Sequence, residues 1–184
     1  IRPSDRVYVL GDGKLGLLCA QVLATVPCEL LCIGRHASKL ELLRRRGIPT
    51  RLADAAAQLP SAAVVVECTG SPLGFALARR LVRPRGTLVL KSTYAATAAP
   101  PAELSWGAAL TGIVVDEIQV VGSRCGPFAA ALRLLQSRRV EVLPLITARY
   151  PLEEGRRAFA HAAQKGVLKV VLELDAAAQP PIAA

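Results

Sequence analysis

The stretch VYVLGDGKLGLL, residues 7–18, constrains this chain more than any other part of it. A β-branched apolar run stops at Gly11, Gly13 and Gly16 and resumes as a leucine-rich segment with helical spacing. A strand that turns straight into a helix needs residues without a Cβ wherever the two backbones meet. Gly11 permits the tight turn, Gly13 leaves the backbone bare before the helix, and Gly16 lets the helix pack on the sheet. The free N–H groups and the positive dipole end of such a helix form a site for phosphate. Lys14 and Leu15, in its first turn, join the glycines as binding candidates. The pattern suits a dinucleotide pyrophosphate, but ordinary strand-to-helix turns and methyltransferases use similar glycines, so the surroundings decide.

Those surroundings alternate strand and helix. RVYVL (6–10) reads as a strand and residues 14–26 as a helix, with Leu15, Leu18, Cys19, Val22 and Val26 on its apolar face. ELLCI (29–33) reads as a strand, 38–46 as a helix ended by Gly47 and Pro49, and AVVVEC (63–68) as a buried strand. Ser71 and Pro72 open a helix that runs to about Val82, and GTLVLK (86–91) is the next strand. TYAATAAPPAE reads as a loop, IVVDEIQVVG (113–122) as a strand, and a helix starts near Pro127. Strand-like EVLPLIT, a helix near 152–164, strand-like VLKVVLEL and a frayed tail AAAQPPIAA complete the chain. This alternation predicts right-handed βαβ crossovers. The expected fold is α/β and Rossmann-type: a doubly wound, mostly parallel sheet with helices on both faces. The expected organisation is a nucleotide-binding domain over 1–140, a strand–helix–strand segment over 141–174 and a flexible tail over 175–184.

The end of the second strand bears on which dinucleotide is bound. NAD sites usually place Asp or Glu about 20 residues beyond the glycine turn, where it holds the ribose 2′-hydroxyl. Here the run is LCIGRHASK, with Gly34 in place of the acid, followed by Arg35, His36 and Lys39. Without the carboxylate a 2′-phosphate meets no repulsion, and Arg35 offers it a planar fork of donors. NADP(H) is therefore the expected cofactor and NAD(H) the second option. The bland alternative is that Arg35 and Lys39 only solvate a helix start.

Charge and composition remove other classes. The 184 residues hold 23 Lys and Arg against 14 Asp and Glu, a formal charge of +9. The arginines cluster at 44–46, 79–80, 138–139 and 156–157, near predicted helix ends, where the dipole or a solvated face accounts for them. Aromatics make up 4%, leaving little for base stacking, so no nucleic acid partner is expected and an anionic cofactor is the simpler use of the charge. No apolar run reaches the roughly 18 residues that span a bilayer, so no membrane partner is expected. Five scattered cysteines without a CxxC read as reduced core residues of a cytoplasmic protein. With only His36 and His161, no metal site is expected in this chain. The absence of any Met and of a secretory signal implies that the chain begins inside a longer one.

Three segments in order, VLGDGKLGLLCAQVLA, VVVECTGSPLGFALARRLVRPRGTLVLKSTYA and DEIQVVGSRCGPFAAALRLL, resemble the coenzyme-binding half of the medium-chain dehydrogenase/reductases. The similarity is strongest to the zinc-type alcohol, threonine and sorbitol dehydrogenase branch and runs from about residue 5 to 174. It implies that Cys68-Thr69-Gly70 borders the adenosine side of the cofactor. It also implies that Lys91, Ser92 and Thr93 line the cleft towards the nicotinamide, and that Gly122, Ser123 and Arg124 lie near the carboxamide. Lys169, on the family's closing strand, would reach the pyrophosphate. On the residues alone, Thr69 equally suits a helix cap, and Lys91 and Lys169 equally suit solvated strand ends.

The family's N-terminal GroES-like barrel, with its catalytic zinc ligands, and its four-cysteine structural zinc lobe have no counterpart in these residues. The resemblance thus assigns any zinc to that barrel, directs the 141–174 segment back towards it, and implies a homodimer through the sheet edge. The resulting expectation is the NADP(H)-binding domain of a zinc-type, alcohol dehydrogenase-like oxidoreductase, with no catalytic residue of its own. It would position the nicotinamide for hydride transfer to or from an alcohol or carbonyl. The alternative is a free-standing, non-catalytic nucleotide-binding or redox-sensing module, which would not need residues 141–174.

Overall fold

Residues 1–94 and 105–174 are described in the computed structural model. The tail read as frayed and most of the loop TYAATAAPPAE lie outside the described residues. The chain divides into two compact units, Ile1–Val140 and Glu141–Ala184.

The first unit is built on six strands: β1 (Arg6–Leu10), β2 (Glu29–Gly34), β3 (Thr50–Leu52), β4 (Ala62–Glu67), β5 (Val82–Leu90) and β6 (Gln119–Gly122). They pair in the order β3-β2-β1-β4-β5-β6, every pair parallel. This is the doubly wound order whose switch point lies between β1 and β4. The apolar run of β1 sits at the centre because it is covered on both sides: Val7, Tyr8, Val9 and Leu10 are all buried. The crossovers are made by α1 (Lys14–Leu23), α2 (Ala37–Arg44), α3 (Pro72–Leu81) and α4 (Trp106–Val115), and α5 (Phe128–Gln136) follows β6.

Helix α1 follows the glycine turn as expected but buries a different face. Gly16, Leu17, Ala20 and Gln21 face the sheet, whereas Leu15 and Val22 are 38% and 40% exposed. The physical reason is close approach: a Cβ on Gly16 would lie 1.9 Å from the Gly11 carbonyl oxygen. Gly16 sets the rotation of the helix, so that Leu17 and Ala20 pack inward while Leu15 and Val22 turn outward.

The sequence reading of 113–122 as one strand is corrected by the fold. Ile113, Val114 and Val115 end α4, which Ser105 caps by accepting from the Ala108 N–H at 3.3 Å. Trp106 packs on Phe75 at 5.3 Å between ring centroids. Glu117 closes the helix with φ +50, and the Ile118 N–H returns to the Ile113 carbonyl, a left-handed helix end. Arg79 on α3 pairs with Asp116 at 2.5 Å and fastens this corner. The Ser105 cap, the Trp106–Phe75 contact and the Arg79–Asp116 pair hold IVV in the helix against its β preference, although Val114 and Val115 stay exposed. The three-residue strand β3 was too short to read from pattern, and β5 begins at Val82 rather than Gly86.

In the second unit β7 (Ile146–Pro151) and β8 (Lys169–Glu173) pair in parallel around α6 (Gly155–Ala162). The strand expected over EVLPLIT begins only at Ile146, because Pro144 lies in a 3₁₀ turn, Leu143–Leu145. Arg156 and Arg157 stand in the first turn of α6, not at its end as the sequence implied, and Arg157 pairs with Glu154. His161 Nδ1 lies 3.0 Å from the Tyr150 hydroxyl, a packing role.

The α1–β1 contact makes a quantitative test. Gly16→Ala should lose about 2–3 kcal/mol of stability, read from the urea midpoint, because backbone must move to admit the methyl group. Gly13→Ala, whose Cβ meets nothing within 4 Å, should lose about 1 kcal/mol or less.

Candidate functional site

Register places the candidate residues on one line. Leu10 is level with Ile33 and Glu67, Glu67 with Leu90, and Leu90 with Gly122. The next residue of four of these strands continues the ladder by one bond. Gly11 N–H donates to Ile33 O (2.8 Å), Cys68 to Leu10 O (2.8 Å), Lys91 to Glu67 O (2.9 Å) and Ser123 to Leu90 O (3.0 Å). Gly34, Gly11, Cys68, Lys91 and Ser123 therefore stand in a row at the carboxyl edge of the sheet, where open α/β sheets bind ligands.

A cleft of about 400 Å³ opens over the β2, β1 and β4 end of this row. Gly11, Gly13, Gly34, Arg35, His36, Lys39 and Thr69, all candidates from the sequence, line it. Gly11 has φ +121, and its Cβ would press on the Cys68 carbonyl carbon and oxygen at 3.1 Å. The Cβ direction of Gly13 is open. Gly13 is also the N-cap of α1: no side chain caps the helix and no acid stands in its first turn, so its leading N–H groups await an acceptor. Lys14 and Leu15 are exposed in that turn and Gly16 is buried beneath it.

At the β2 end the structure adds a residue that sequence reasoning passed over. Asp12 is 8% exposed and lines the cleft. Its Oδ2 accepts the His36 backbone N–H at 2.6 Å and lies 3.0 Å from His36 Nδ1. A Cβ on Gly34 would sit 2.6 Å from the Asp12 Cβ and 2.7 Å from Oδ2. Gly34 is thus required by Asp12, not merely the vacancy of an acid. The signal was present in GDG and GRH, but nothing in the sequence says that these segments touch. Among the described residues neither Arg35 nor Lys39 has an ion-pair partner.

The turn after β4 is held from below. Glu67 is fully buried and its carboxylate accepts from the Thr69 N–H (2.5 Å), the Thr69 hydroxyl and the Tyr94 hydroxyl (2.6 Å). Burial, then Glu67, push the Tyr94 hydroxyl well above its ordinary pKa. Ser71 caps α3 by accepting from the Gly74 N–H at 3.0 Å, and its own N–H donates to Thr69 Oγ1 at 3.1 Å. Thr69 therefore belongs both to the cleft wall and to the helix start.

Further along the row, Lys91 Nζ donates to Ser123 Oγ (3.2 Å) and to the Arg124 carbonyl (3.3 Å). Three candidates thus meet at the β5 and β6 ends, with Ser92 next in the chain and half-buried. Lys169 opens β8 in the second unit and is exposed. No group of three or more His, Cys, Asp or Glu able to hold a metal ion occurs among the described residues. No helix among them is long and apolar enough to cross a membrane.

Known proteins share this fold. A family model described as glucose dehydrogenase C-terminus matches residues 2–174. Sorbitol dehydrogenase of Gallus gallus is 26% identical, covering 97% of this chain and 52% of that protein. Among solved structures, alcohol dehydrogenase TADH from Thermus sp. ATN1 superposes with a TM-score of 0.76 at 25% identity, covering 95% of this chain and 52% of that one. A protein from Sinorhizobium meliloti 1021, assigned as a zinc-binding dehydrogenase and crystallised bound to NADP, gives 0.75 at 23% identity, covering 92% and 53%. The chain spans about half the length of the curated relatives it matches. It belongs to the glucose dehydrogenase C-terminal family, the coenzyme-binding domain of the zinc-type medium-chain dehydrogenase/reductases.

Proposed function

We propose that this domain binds NADP(H) and positions its nicotinamide for hydride transfer to or from an alcohol or carbonyl. The observation that carries this reading is the β2 end of the cleft. Gly34 bears no acid, Asp12 is taken up by His36, and Arg35 and Lys39 stand beside the opening with no ion-pair partner among the described residues. A 2′-phosphate supplies the charge these groups lack. The uncapped start of α1 suits the pyrophosphate, with Gly13 giving access and Lys14 adding charge. The NADP held by the Sinorhizobium meliloti protein of the same fold supports the choice of cofactor.

In this reading Thr69 bounds the adenosine half of the site. Lys91 holds the Ser123–Arg124 segment in the row of strand ends, so that Ser92, Ser123 and Arg124 present a fixed edge to the carboxamide. Leu15 offers an exposed apolar surface at the helix start. When bound, the nicotinamide accepts or gives the hydride. Cytoplasmic placement belongs to the same proposal and rests on the scattered cysteine pattern. Pairing of two domains through β6 does too: this strand is an open sheet edge, and Val120 on it is 42% exposed.

Titration with NADPH and NADH tests the cofactor. NADPH should bind more tightly, and Arg35→Ala should weaken it about tenfold while leaving NADH nearly unchanged, since tenfold is about 1.4 kcal/mol. Tighter NADH binding by the wild type would sink the assignment. The Asp12–Gly34 contact adds a coupled prediction. Gly34→Asp alone should weaken both dinucleotides, because the new side chain collides with Asp12 and sets two carboxylates together. The Asp12→Ala/Gly34→Asp pair should instead favour NADH, a non-additive result in a double-mutant cycle. Sedimentation tests the pairing: the wild type should run as a dimer at micromolar concentration and Val120→Lys as a monomer.

A further inference from the structure

Asp12 lies on the cleft wall, and its contacts govern what its neighbour His36 can offer a ligand. Asp12 Oδ2 accepts the His36 backbone N–H at 2.6 Å, and Oδ2 and Oδ1 stand 3.0 and 3.2 Å from His36 Nδ1. Carboxylate oxygens only accept, so Nδ1 carries a proton, and a neutral His36 then has none on Nε2. The imidazole lines the cleft with 47% of its side chain exposed, and no described residue bonds to Nε2. The free end of the ring is thus a lone pair, the wrong end for an anion.

We propose that Asp12 is a positioning residue for coenzyme choice: it fixes His36 so that Nε2 takes up a proton when a 2′-phosphate binds. The proposal rests on the reading of the cleft as a dinucleotide site. One proton from solvent turns the Nε2 lone pair into an N–H donor and gives the ring a positive charge. The ring then has an anion at each nitrogen, the Asp12 carboxylate at Nδ1 and the phosphate at Nε2. Imidazole is the side chain for which this exchange falls near neutral pH. NADH brings a 2′-hydroxyl instead, which can donate to the lone pair, so its binding needs no proton.

The surroundings couple the proton to the phosphate. The charged groups lining this part of the cleft are Asp12 from the β1–α1 turn, Arg35 next to His36 and Lys39 on α2. Ala53 after β3 and Thr69 and Ser71 after β4 bring no charge, and Cys68 brings a buried thiol. Arg51 on β3 and Asp54 just after it are exposed and lie outside the lining. Arg35 and Lys39 oppose a third positive charge in the empty cleft, and a bound phosphate removes that opposition. Uptake on binding means that affinity for NADPH rises as pH falls towards neutral. Below about pH 6 the phosphate itself is protonated and the trend ends.

Isothermal titration of this chain at about pH 7.5, in two buffers of different ionisation enthalpy, counts the protons exchanged. NADPH should take up about 0.5–1 proton and NADH close to none. NADPH affinity should rise about fivefold from about pH 8.5 to 7.0, with that of NADH level. His36→Gln should remove the uptake. Asp12→Asn keeps an acceptor for the His36 N–H, but its amide can donate to Nδ1 and so leaves a neutral ring free to carry its proton on Nε2. This variant should still bind NADPH while its proton uptake falls below half that of the wild type, which a loss of packing alone would not produce. Matching thermal midpoints would show that both variants fold. Nitrogen NMR of the free chain, with the His36 signals identified by their loss in His36→Gln, should show Nδ1 protonated and Nε2 bare at about pH 8.5. Wild-type NADPH binding without uptake, equal uptake with NADH, or uptake kept in either variant overturns the proposal, as does a free ring protonated on Nε2. Tighter NADH binding with uptake confined to NADPH overturns the coenzyme preference and supports the role of Asp12. If the chain binds neither dinucleotide, the coenzyme reading and the proton uptake both fail, while NMR still reports how Asp12 holds the ring.

Discussion

The contact on which the rest of the structure depends is the crossing of α1 over the end of β1. A hypothetical Cβ at Gly16 stands 1.9 Å from Gly11 O, well inside any van der Waals distance. Helix and strand therefore touch backbone to backbone, and the first turn of α1 is aimed from the sheet edge rather than displaced by a side chain. The neighbouring crossover repeats the solution. A Cβ on Gly74 of α3 would meet Thr69 Oγ1 at 1.8 Å. Two helices thus start close above β1 and β4, on either side of the switch point, and the cleft between them follows from that geometry.

Close packing there has to be reconciled with buried polar groups. Glu67 is a carboxylate without solvent, a costly group unless every lone pair finds a donor. Its three donors, the Thr69 N–H and hydroxyl and the Tyr94 hydroxyl, are neutral, so it shapes the turn without drawing a cation into the core. Because Tyr94 comes from the segment after β5, the same carboxylate ties two neighbouring strand ends together. Gly70, with φ +64 and its Cβ direction 2.9 Å from the Thr93 carbonyl, lets those segments lie against each other. The row of strand ends is rigid because ladder bonds, a buried carboxylate and the Lys91 bridge all act on it.

Local pattern was sufficient where one residue type has one physical use. The glycine turn, the β1 and β4 runs and the Ser71-Pro72 helix start were legible for that reason, as was a doubly wound, mostly parallel sheet once helices alternated with strands. It was insufficient where tertiary contact chooses between two local options. IVV at 113–115 suits a strand by propensity and ends a helix in fact, because Arg79, Asp116 and Phe75 hold α4 against α3. Helix α1 is apolar around most of its circumference, so periodicity pointed to the face of Leu15 and Val22, and the Gly16 contact turns another face to the sheet. Asp12 was illegible because its partner, His36 just past β2, lies 24 residues away in the chain, while its backbone N–H stands 2.6 Å from the carboxylate.

That contact changes what the glycine at position 34 means. Read alone, Gly34 records a missing carboxylate. In the structure a carboxylate does enter this corner, from position 12, but the backbone N–H and Nδ1 of His36 engage its Oδ2. An ionised carboxylate only accepts, so Nδ1 donates to it, and the imidazole is fixed with the loop. The acid lines the cleft wall with its Oδ2 engaged by the β2–α2 loop. What faces the cleft is Gly13 at the uncapped start of α1, together with Arg35 and Lys39, which have no ion-pair partner among the described residues. Each of these is an incomplete interaction of the same sign, and all three lie around one opening. Some surface arginines elsewhere find their own acids, as Arg6 does with Glu29, Arg45 with Glu41 and Arg149 with Glu173, whereas others, such as Arg51 and Arg83, form no ion pair among the described residues. The charge of Arg35 and Lys39 lies beside the cleft opening, and it is the placement of that charge, not its lack of partners alone, on which the proposed NADP(H) site rests.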